Sequence, residues 1–166
     1  MKTPARSQFD YRALAQFRYE IRRFLNFSEQ AARDAGIEPQ QHQALLAVEG
    51  LPATQRATIG VLAERLQIRH HSVVELVDRL EARGLLKRTR SHADRREVLL
   101  ALTSRGAKLL TELSLSHVAE LRDAGRALLR ALQGVMRAAS HPRASRRKVA
   151  RSQRNRRPSK GRTHRN

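Results

Sequence analysis

Residues 58–88 read TIGVLAERLQIRHHSVVELVDRLEARGLLKR, and this stretch decides the fold. Apolar residues recur three and four positions apart in two blocks, 59–66 and 73–80, which is the period of a helix that buries one face. Only Gln67–Arg69 separates the blocks, and Gly84 follows the second block, where glycine commonly ends a helix. Two short helices with so tight a turn predict a helix-turn-helix unit, whose second helix is shaped to lie in a DNA major groove.

A basic hairpin is predicted directly after this unit. Two strand-like runs, 85–89 and 97–102, flank residues 90–96, which read RSHADRR. The Asp94 carboxylate can pair with one of the two following arginines and leave the other to reach outward. Such a tip fits the adjoining minor groove, where narrow A·T-rich DNA concentrates negative potential.

Longer helices are predicted on both sides of this lobe. One runs over about 9–34, and Pro39 opens another that extends to Glu49. Thr103 is the expected N-cap of a helical stretch to about residue 123, and the apolar pattern resumes in a further stretch over 127–139. All six aromatic residues lie within the first 27 positions, so they are expected to fill a helix interface rather than to stack bases from a strand. The predicted fold class is mostly α with a small β-hairpin wing.

The charge of the chain is strongly unbalanced. The 166 residues include 34 Lys and Arg against 15 Asp and Glu, a formal net charge of +19, which favours a polyanionic partner. Residues 137–166 hold 12 of the basic residues and no acidic residue, whereas residues 1–136 carry only +7. The division separates a folded body, 9–139, from a short arm, 1–8, and a basic tail, 140–166, which has no periodic apolar face and is expected to be disordered.

Several classes of protein are excluded by what the sequence lacks. Zero cysteines exclude disulfides, thiolate metal sites and a catalytic cysteine. No phosphate-cradling glycine loop or supported catalytic triad is present, so neither an enzyme nor a cofactor is expected. The seven histidines include no pair at helical i,i+4 spacing, and no metal site is expected. No apolar run is long enough to span a membrane, no export segment is evident, and a cytoplasmic, nucleoid-associated bacterial protein is predicted.

The start of the second helix carries the side chains expected to read DNA. His70, His71 and Ser72 offer hydrogen-bonding groups there. Glu75 has two interpretations: it can accept a hydrogen bond from cytosine N4, or it can close a Ser72-x-x-Glu75 capping box that would start the helix later. Lysines and arginines further along are expected to meet phosphates, and acidic residues beside arginine, such as Glu81 near Arg83, are expected to be paired or solvated. The complete set expected at DNA comprises His70, His71, Ser72, Glu75 and Arg79 on the recognition helix, 70–83, and Lys87, Arg88, Arg90, Asp94, Arg95 and Arg96 on and beside the wing, 90–96.

From Gly36 to Leu110 the chain resembles the MarR family of winged helix-turn-helix transcriptional regulators. The resemblance rests on GIEPQQHQALLAV, on LAERLQIRHHSVVELVDRLEARGLLKR, on DRR at the wing tip and on LTSRG at the start of the next helix. It implies that Arg95 is the minor-groove residue of the wing and that Asp94 organises it. The chain departs from the family where a Thr-Arg pair is frequent in the recognition helix, because Val74 and Glu75 stand there.

The resemblance also implies a homodimer and a small-molecule effector. The terminal helices, 9–35 and 104–139, would intertwine between two subunits, and the lobe 37–102 of each subunit would face DNA. The implied dimer core consists of Phe17, Ile21, Phe24, Leu128, Leu132 and Met136. An anionic or aromatic effector would enter a crevice bordered by Tyr19, Arg22, Arg23, His42 and His117, although a packed or hydrogen-bonded histidine is the favoured interpretation of His42.

Three classes of function remain open from the sequence. A ligand-responsive repressor that binds double-stranded DNA is favoured, a constitutive architectural DNA-binding protein is the first alternative, and an RNA-associated basic protein is the second. The tail is expected to contact the phosphates of any DNA without reading sequence; the alternatives are an extension with little effect on binding, or an arm for RNA or anionic lipid. Its expected contact residues are Arg146, Arg147, Lys148, Arg151, Arg156 and Arg157.

Overall fold

The computed structural model describes residues 11–90 and 98–140, and within them the fold is mostly helical with one hairpin. The elements in chain order are α1 (Tyr11–Asp34), α2 (Pro39–Glu49), α3 (Ile59–Leu66), α4 (His70–Ala82), β1 (Leu86–Arg90), β2 (Val98–Leu102) and α5 (Ser104–Ser140). The predicted fold class is therefore confirmed. The predicted N-terminal arm, the wing tip with Asp94, Arg95 and Arg96, and the tail contacts from Arg146 to Arg157 lie outside the described residues.

The two long helices, α1 and α5, pack against each other along their lengths. Ser28 contacts His117, and Arg23 lies beside Glu120 one turn away, so the two helices run antiparallel. A separate apolar core joins α2, α3, α4 and the hairpin to the start of α5. Its largest fully buried side chains are Leu45, Leu76, Leu80, Leu85, Leu86, Val73 and Val77. The lobe that carries the helix-turn-helix unit thus has its own core beside the paired long helices.

The turn between α3 and α4 is as short as the sequence predicts. Gln67 ends α3 in the left-handed region at φ 57°, and its backbone N–H bonds back to Ala63 and Glu64. Its side-chain amide also donates to the Glu64 carbonyl at 2.8 Å. These bonds satisfy carbonyl groups at the end of α3 and end that helix at Leu66. The next helix, α4, begins at His70 after Arg69 as its N-cap.

The hairpin is antiparallel, with Leu86 opposite Leu102 and Arg90 opposite Val98. The first strand begins one residue later than predicted. Gly84 has φ +64° and Leu85 donates its N–H to the Leu80 carbonyl, so that Leu85 belongs to the capping turn that follows α4. Glu97, the predicted start of the second strand, lies outside the described residues.

Three expectations about helix ends are corrected. The region 104–140 is one helix of 37 residues rather than two stretches, because Gly125 stands inside it without a proline or a cap and α1 packs along it. The recognition helix ends at Ala82, one residue before the predicted end. The Ser72–Glu75 capping box is wrong, because Arg69 is the N-cap and α4 has already begun at His70.

The predicted N-cap of α5 is confirmed. The Thr103 hydroxyl accepts a hydrogen bond from the Gly106 N–H at 3.1 Å, and Thr103 also donates from its hydroxyl to the Gly84 carbonyl at 2.7 Å. Thr103 therefore caps the long helix and joins it to the end of α4.

Candidate nucleic-acid interface

The recognition helix α4 has one buried and one exposed face. Val73, Leu76, Val77 and Leu80 are buried, in the three- and four-residue spacing of a helix that packs on a core. Four of the five residues expected to read DNA are exposed, and Ser72 is half-buried. The exposed four are His70, His71, Glu75 and Arg79. The structure thus brings these polar side chains together on the side of α4 that faces away from the core.

The beginning of α4 is electrostatically suited to an anion. The first turn contains no acidic residue, and the Arg69 side chain makes no capping hydrogen bond there. A helix N-terminus carries partial positive charge and unpaired N–H groups, which favour a negatively charged neighbour such as a phosphate. The two histidines of this turn therefore lie where a DNA backbone would be attracted.

Arg88 on β1 does not point away from the protein as expected for a phosphate contact. Its guanidinium donates hydrogen bonds to Asp78 and Glu81 of α4, and its backbone N–H donates to Glu81 Oε1 at 3.2 Å. Burial lowers the pKa of Arg88, but the hydrogen bonds to the two carboxylates raise it, and the net shift is upward. The guanidinium is thus engaged in joining the hairpin to α4, and the expected pairing of Glu81 with Arg83 is replaced by this contact.

The other described wing residues keep their expected exposure. Lys87 and Arg90 are exposed on β1, close to the position where the hairpin leaves the described residues. Both cations are therefore placed to meet an anionic surface that lies against the hairpin.

Two histidines expected near an effector crevice lie in contact, with their ring planes tilted by 38°. The ring centroids of His42 on α2 and His117 on α5 are 4.8 Å apart. His117 also contacts the Leu113 carbonyl through Nδ1 at 2.6 Å and the Ser28 hydroxyl through Nε2 at 2.8 Å. His42 is 2% exposed and its Nδ1 has no hydrogen-bond partner. Burial, and secondarily the nearby His117, lower the pKa of His42 below its usual 6.5.

Aromatic rings enclose the histidine pair on one side. The rings of Phe24 and Phe27 meet His117 edge-on, with centroids 6.1 Å and 5.6 Å away. Tyr19 and Arg22, also expected at the crevice, are exposed on α1, and Arg23 lies within ion-pair distance of Glu20 and Glu120. The sequence missed the pairing of His42 with His117, because two residues on different helices share no spacing pattern.

The residues expected in a dimer core differ in how far they are exposed in the single chain. Phe17, Ile21, Phe24 and Leu128 are half-buried between α1 and α5, whereas Leu132 and Met136 are exposed. Other large apolar side chains on the two helices are also at least 39% exposed. They include Leu14, Leu25, Leu115, Val118 and Leu129. The outer faces of α1 and α5 thus present an extended apolar surface.

Neither a metal centre nor a membrane span is found in the part of the chain that the structure describes. No group of three or more His, Asp or Glu side chains in residues 11–90 and 98–140 is arranged to hold a metal ion. No helix in the same ranges is both long and apolar enough to cross a bilayer.

Known proteins share both the sequence pattern and the fold. Residues 35–97 match the model of the MarR family. Among solved structures, AbsC of Streptomyces coelicolor, a MarR family transcriptional regulator, superposes with a TM-score of 0.60 at 18% identity, over 75% of this chain and 82% of that one. The repressor CouR, solved on a 23-mer DNA duplex, superposes with a TM-score of 0.55 at 28% identity, over 71% and 84%.

A further neighbour is FabT of Streptococcus pneumoniae, solved in complex with DNA. Its TM-score is 0.59 at 23% identity, over 68% of this chain and 80% of that one. No curated protein matches the sequence closely enough to count as a relative. The helix-turn-helix lobe thus matches the MarR family model, and the described body shares the fold of solved MarR family transcriptional regulators.

Proposed function

We propose that the chain is a sequence-specific regulator that binds double-stranded DNA, with α4 in the major groove and the hairpin tip, 90–96, in the minor groove. The observation that carries the proposal is the exposed polar face of α4, which follows a tight turn and is flanked by a basic hairpin. A helix of this kind fits the width of the major groove and can reach base edges. The DNA-bound structures of CouR and FabT support a duplex as the partner.

The proposed contacts divide into base and phosphate contacts. His70, His71 and Glu75 reach base edges, where Glu75 accepts a hydrogen bond from cytosine N4. Arg79, Lys87 and Arg90 contact phosphates, and the wing-tip residues Asp94, Arg95 and Arg96 form the minor-groove contact. Ser72, which is half-buried in the first turn of α4, is proposed to make a DNA contact from the side of that turn.

The proposed active form is a homodimer built on α1 and α5. The exposed large apolar side chains on both helices support it, because burying them against a second copy removes apolar surface from water. A second copy would cover Leu132 and Met136 and would present a second α4. A twofold-symmetric dimer of this type binds two half-sites about one helical turn apart.

The proposed regulation is relief of repression by a small molecule. The effector would be anionic or aromatic and would enter near His42 and His117, with Tyr19 and Arg22 at the border. The unpartnered Nδ1 of His42 supports a polar contact at this position, because a buried nitrogen without a partner gains a hydrogen bond from a ligand. The MarR family consists of transcriptional regulators rather than enzymes, so binding rather than chemistry is the expected response.

The basic tail is proposed to add affinity without sequence preference. Its arginines and lysine from Arg146 to Arg157 would neutralise phosphates and release counterions. A basic segment of this type raises binding to any duplex, while the folded lobe selects the site.

Selection from a random duplex library, followed by footprinting, tests the proposed function. A regulator enriches one pseudo-palindromic sequence and protects two half-sites about one helical turn apart. Uniform coverage without enrichment would instead support the architectural alternative, and preferential competition by structured RNA at matched salt would support the RNA-associated alternative.

A further inference from the structure

A cross-link joins the C-terminal end of α4 to the junction between α1 and α2. Arg83, which caps α4, donates from Nη2 to the Gly36 carbonyl at 2.6 Å and from Nη1 to Gln41 Oε1 at 3.0 Å. The two nitrogens of one planar guanidinium thus bridge two acceptors on a different part of the fold. Such a fork fixes direction as well as distance, since both bonds depend on the same plane.

The two acceptors are themselves held in place. Gly36 follows α1 with φ +75°, and its N–H donates to the Arg33 carbonyl at 2.9 Å. Gln41 is 3% exposed, and its Oε1 also accepts the Glu38 N–H at 3.1 Å at the start of α2. Arg83 therefore donates to two acceptors that are themselves held by hydrogen bonds, the residue that follows α1 and the buried amide of Gln41.

The backbone at the same end of α4 is tied to α5. The Arg83 carbonyl accepts a hydrogen bond from Arg105 Nη1 at 3.2 Å, and the next carbonyl, that of Gly84, accepts one from the Thr103 hydroxyl at 2.7 Å. The end of the recognition helix is thus held between the α1–α2 junction and the start of α5. These are the elements from which a dimer would be built.

The opposite end of α4 carries the residues proposed to reach bases. His70 and Arg83 are separated by about 20 Å along a helix that rises about 1.5 Å per residue. Over that length a tilt of roughly 3° about the Arg83 end displaces the first turn by about 1 Å. A displacement of this size is enough to disturb hydrogen bonds to base edges, whose donor–acceptor distances span only about 0.5 Å.

We propose that Arg83 is a positioning residue for DNA recognition, which sets the angle of α4 against the α1–α2 junction through Gly36 and Gln41 and does not contact phosphate. The inference rests on the proposed function. It distinguishes Arg83 from the exposed cations Arg79, Lys87 and Arg90, because the Arg83 guanidinium is held by two acceptors within the protein.

The test compares Arg83→Lys with the wild-type chain on two duplexes. The probes are the duplex selected by the wild-type chain from a random library and a scrambled duplex of the same length. Lysine keeps the positive charge but cannot bridge two acceptors in one plane. We expect Arg83→Lys to bind the selected duplex about tenfold more weakly, to bind the scrambled duplex as the wild-type chain does, and to keep the slope of log K against log salt.

A second variant removes the acceptor instead of the donor. Gln41→Met deletes the buried Oε1 at similar side-chain volume, and it is expected to reproduce the loss on the selected duplex. The double variant Gln41→Met with Arg83→Lys is expected to lose less than the sum of the two single variants, because the Arg83–Gln41 hydrogen bond is disrupted by both changes. A third variant, Arg83→Gln, removes the positive charge as well as the two hydrogen bonds of the guanidinium. Its control is Arg33→Gln, which removes the same charge from an exposed residue of α1 that pairs with Glu29.

The outcomes separate this inference from the proposed function. If the wild-type chain selects no duplex, the proposed function fails and the inference falls with it. The inference alone is overturned if the wild-type chain selects a duplex, Arg83→Lys binds that duplex equally well, and Arg83→Gln lowers the slope of log K against log salt by about one. That combination of results would identify Arg83 as a phosphate contact. Equal losses on the selected and scrambled duplexes also overturn it, because they indicate general destabilisation.

Discussion

Replacing Gly106 by alanine is expected to weaken the attachment of α5 to the helix-turn-helix lobe. A Cβ atom on this residue would lie 2.0 Å from the Leu85 carbonyl oxygen and 2.9 Å from the carbonyl carbon. Both atoms belong to the backbone, so no side-chain rotation relieves the overlap. The same Leu85 oxygen accepts the Thr103 N–H at 3.1 Å, which is one of the bonds between the start of α5 and the end of α4.

The size of the effect follows from the distances. Raising the 2.0 Å separation to the 3.0 Å below which real contacts are essentially not found requires a shift of about 1 Å. Overpacking of this type costs about 1–3 kcal/mol, and loss of the Thr103–Leu85 hydrogen bond costs about 1 kcal/mol. The better helix propensity of alanine returns about 1 kcal/mol. The net expected loss is about 2 kcal/mol, which lowers the Tm of a chain of this length by roughly 4–8 °C.

Thermal and urea unfolding, followed by circular dichroism at one fixed protein concentration, measure this loss. Gly60→Ala is the matched control, because its Cβ would meet only the Thr58 hydroxyl at 3.9 Å on the exposed side of α3. That variant is expected to equal or slightly exceed the stability of the wild-type chain. A Gly106→Ala chain with the Tm of the wild type would refute the close approach of α5 to Leu85.

Four further predictions concern the proposed interface and its surroundings. Glu75→Ala is expected to relax base preference at one position of each half-site, by about 1–3 kcal/mol, in library selection, and unchanged preference there would exclude a base contact. Because burial lowers the pKa of His42, the folded state resists protonation, so the free energy of unfolding is full above about pH 6.5 and falls as the pH drops below it. His42→Gln is expected to flatten this decline in urea titrations, and an unchanged pH dependence would contradict the role of His42. Arg88→Met is expected to reduce the free energy of unfolding by about 1 kcal/mol without changing the salt slope of DNA binding, since its guanidinium joins β1 to α4, and a slope reduced by about one would contradict this role. Deleting residues 141–166 is expected to lower both the salt slope and the affinity for random duplexes while the selected sequence stays the same, and an unaltered slope would count against a DNA-binding tail.

Much of the fold was predictable because its signals are local. The period of apolar residues identified α4, the ring of Pro39 marked the start of α2, and Thr103 was recognisable as an N-cap. Each of these features depends on residues within a few positions of one another. Gly84 likewise adopts the left-handed conformation that glycine tolerates without steric cost.

The errors at helix ends arose where a local pattern had two interpretations. Ser72 and Glu75 match a capping box, but the N-cap of α4 is Arg69, three residues earlier, because the turn after α3 is closed by Gln67. The weak apolar period around Gly125 suggested a break, but packing along α1 keeps α5 continuous. In both cases neighbouring elements decided between alternatives that the local sequence left open.

The sequence by itself determined that this protein has a helix-turn-helix unit with a basic hairpin and which face of the recognition helix is polar. Only the tertiary structure decided that Arg83 bonds to Gln41, that Arg88 joins the hairpin to α4 and that the ring of His42 contacts that of His117. The physical reason is that periodicity records which face of a helix is apolar, whereas the partner of a charged or aromatic side chain depends on which distant segment packs beside it. Those partners distinguish a cation that holds the protein together from one that is available to DNA.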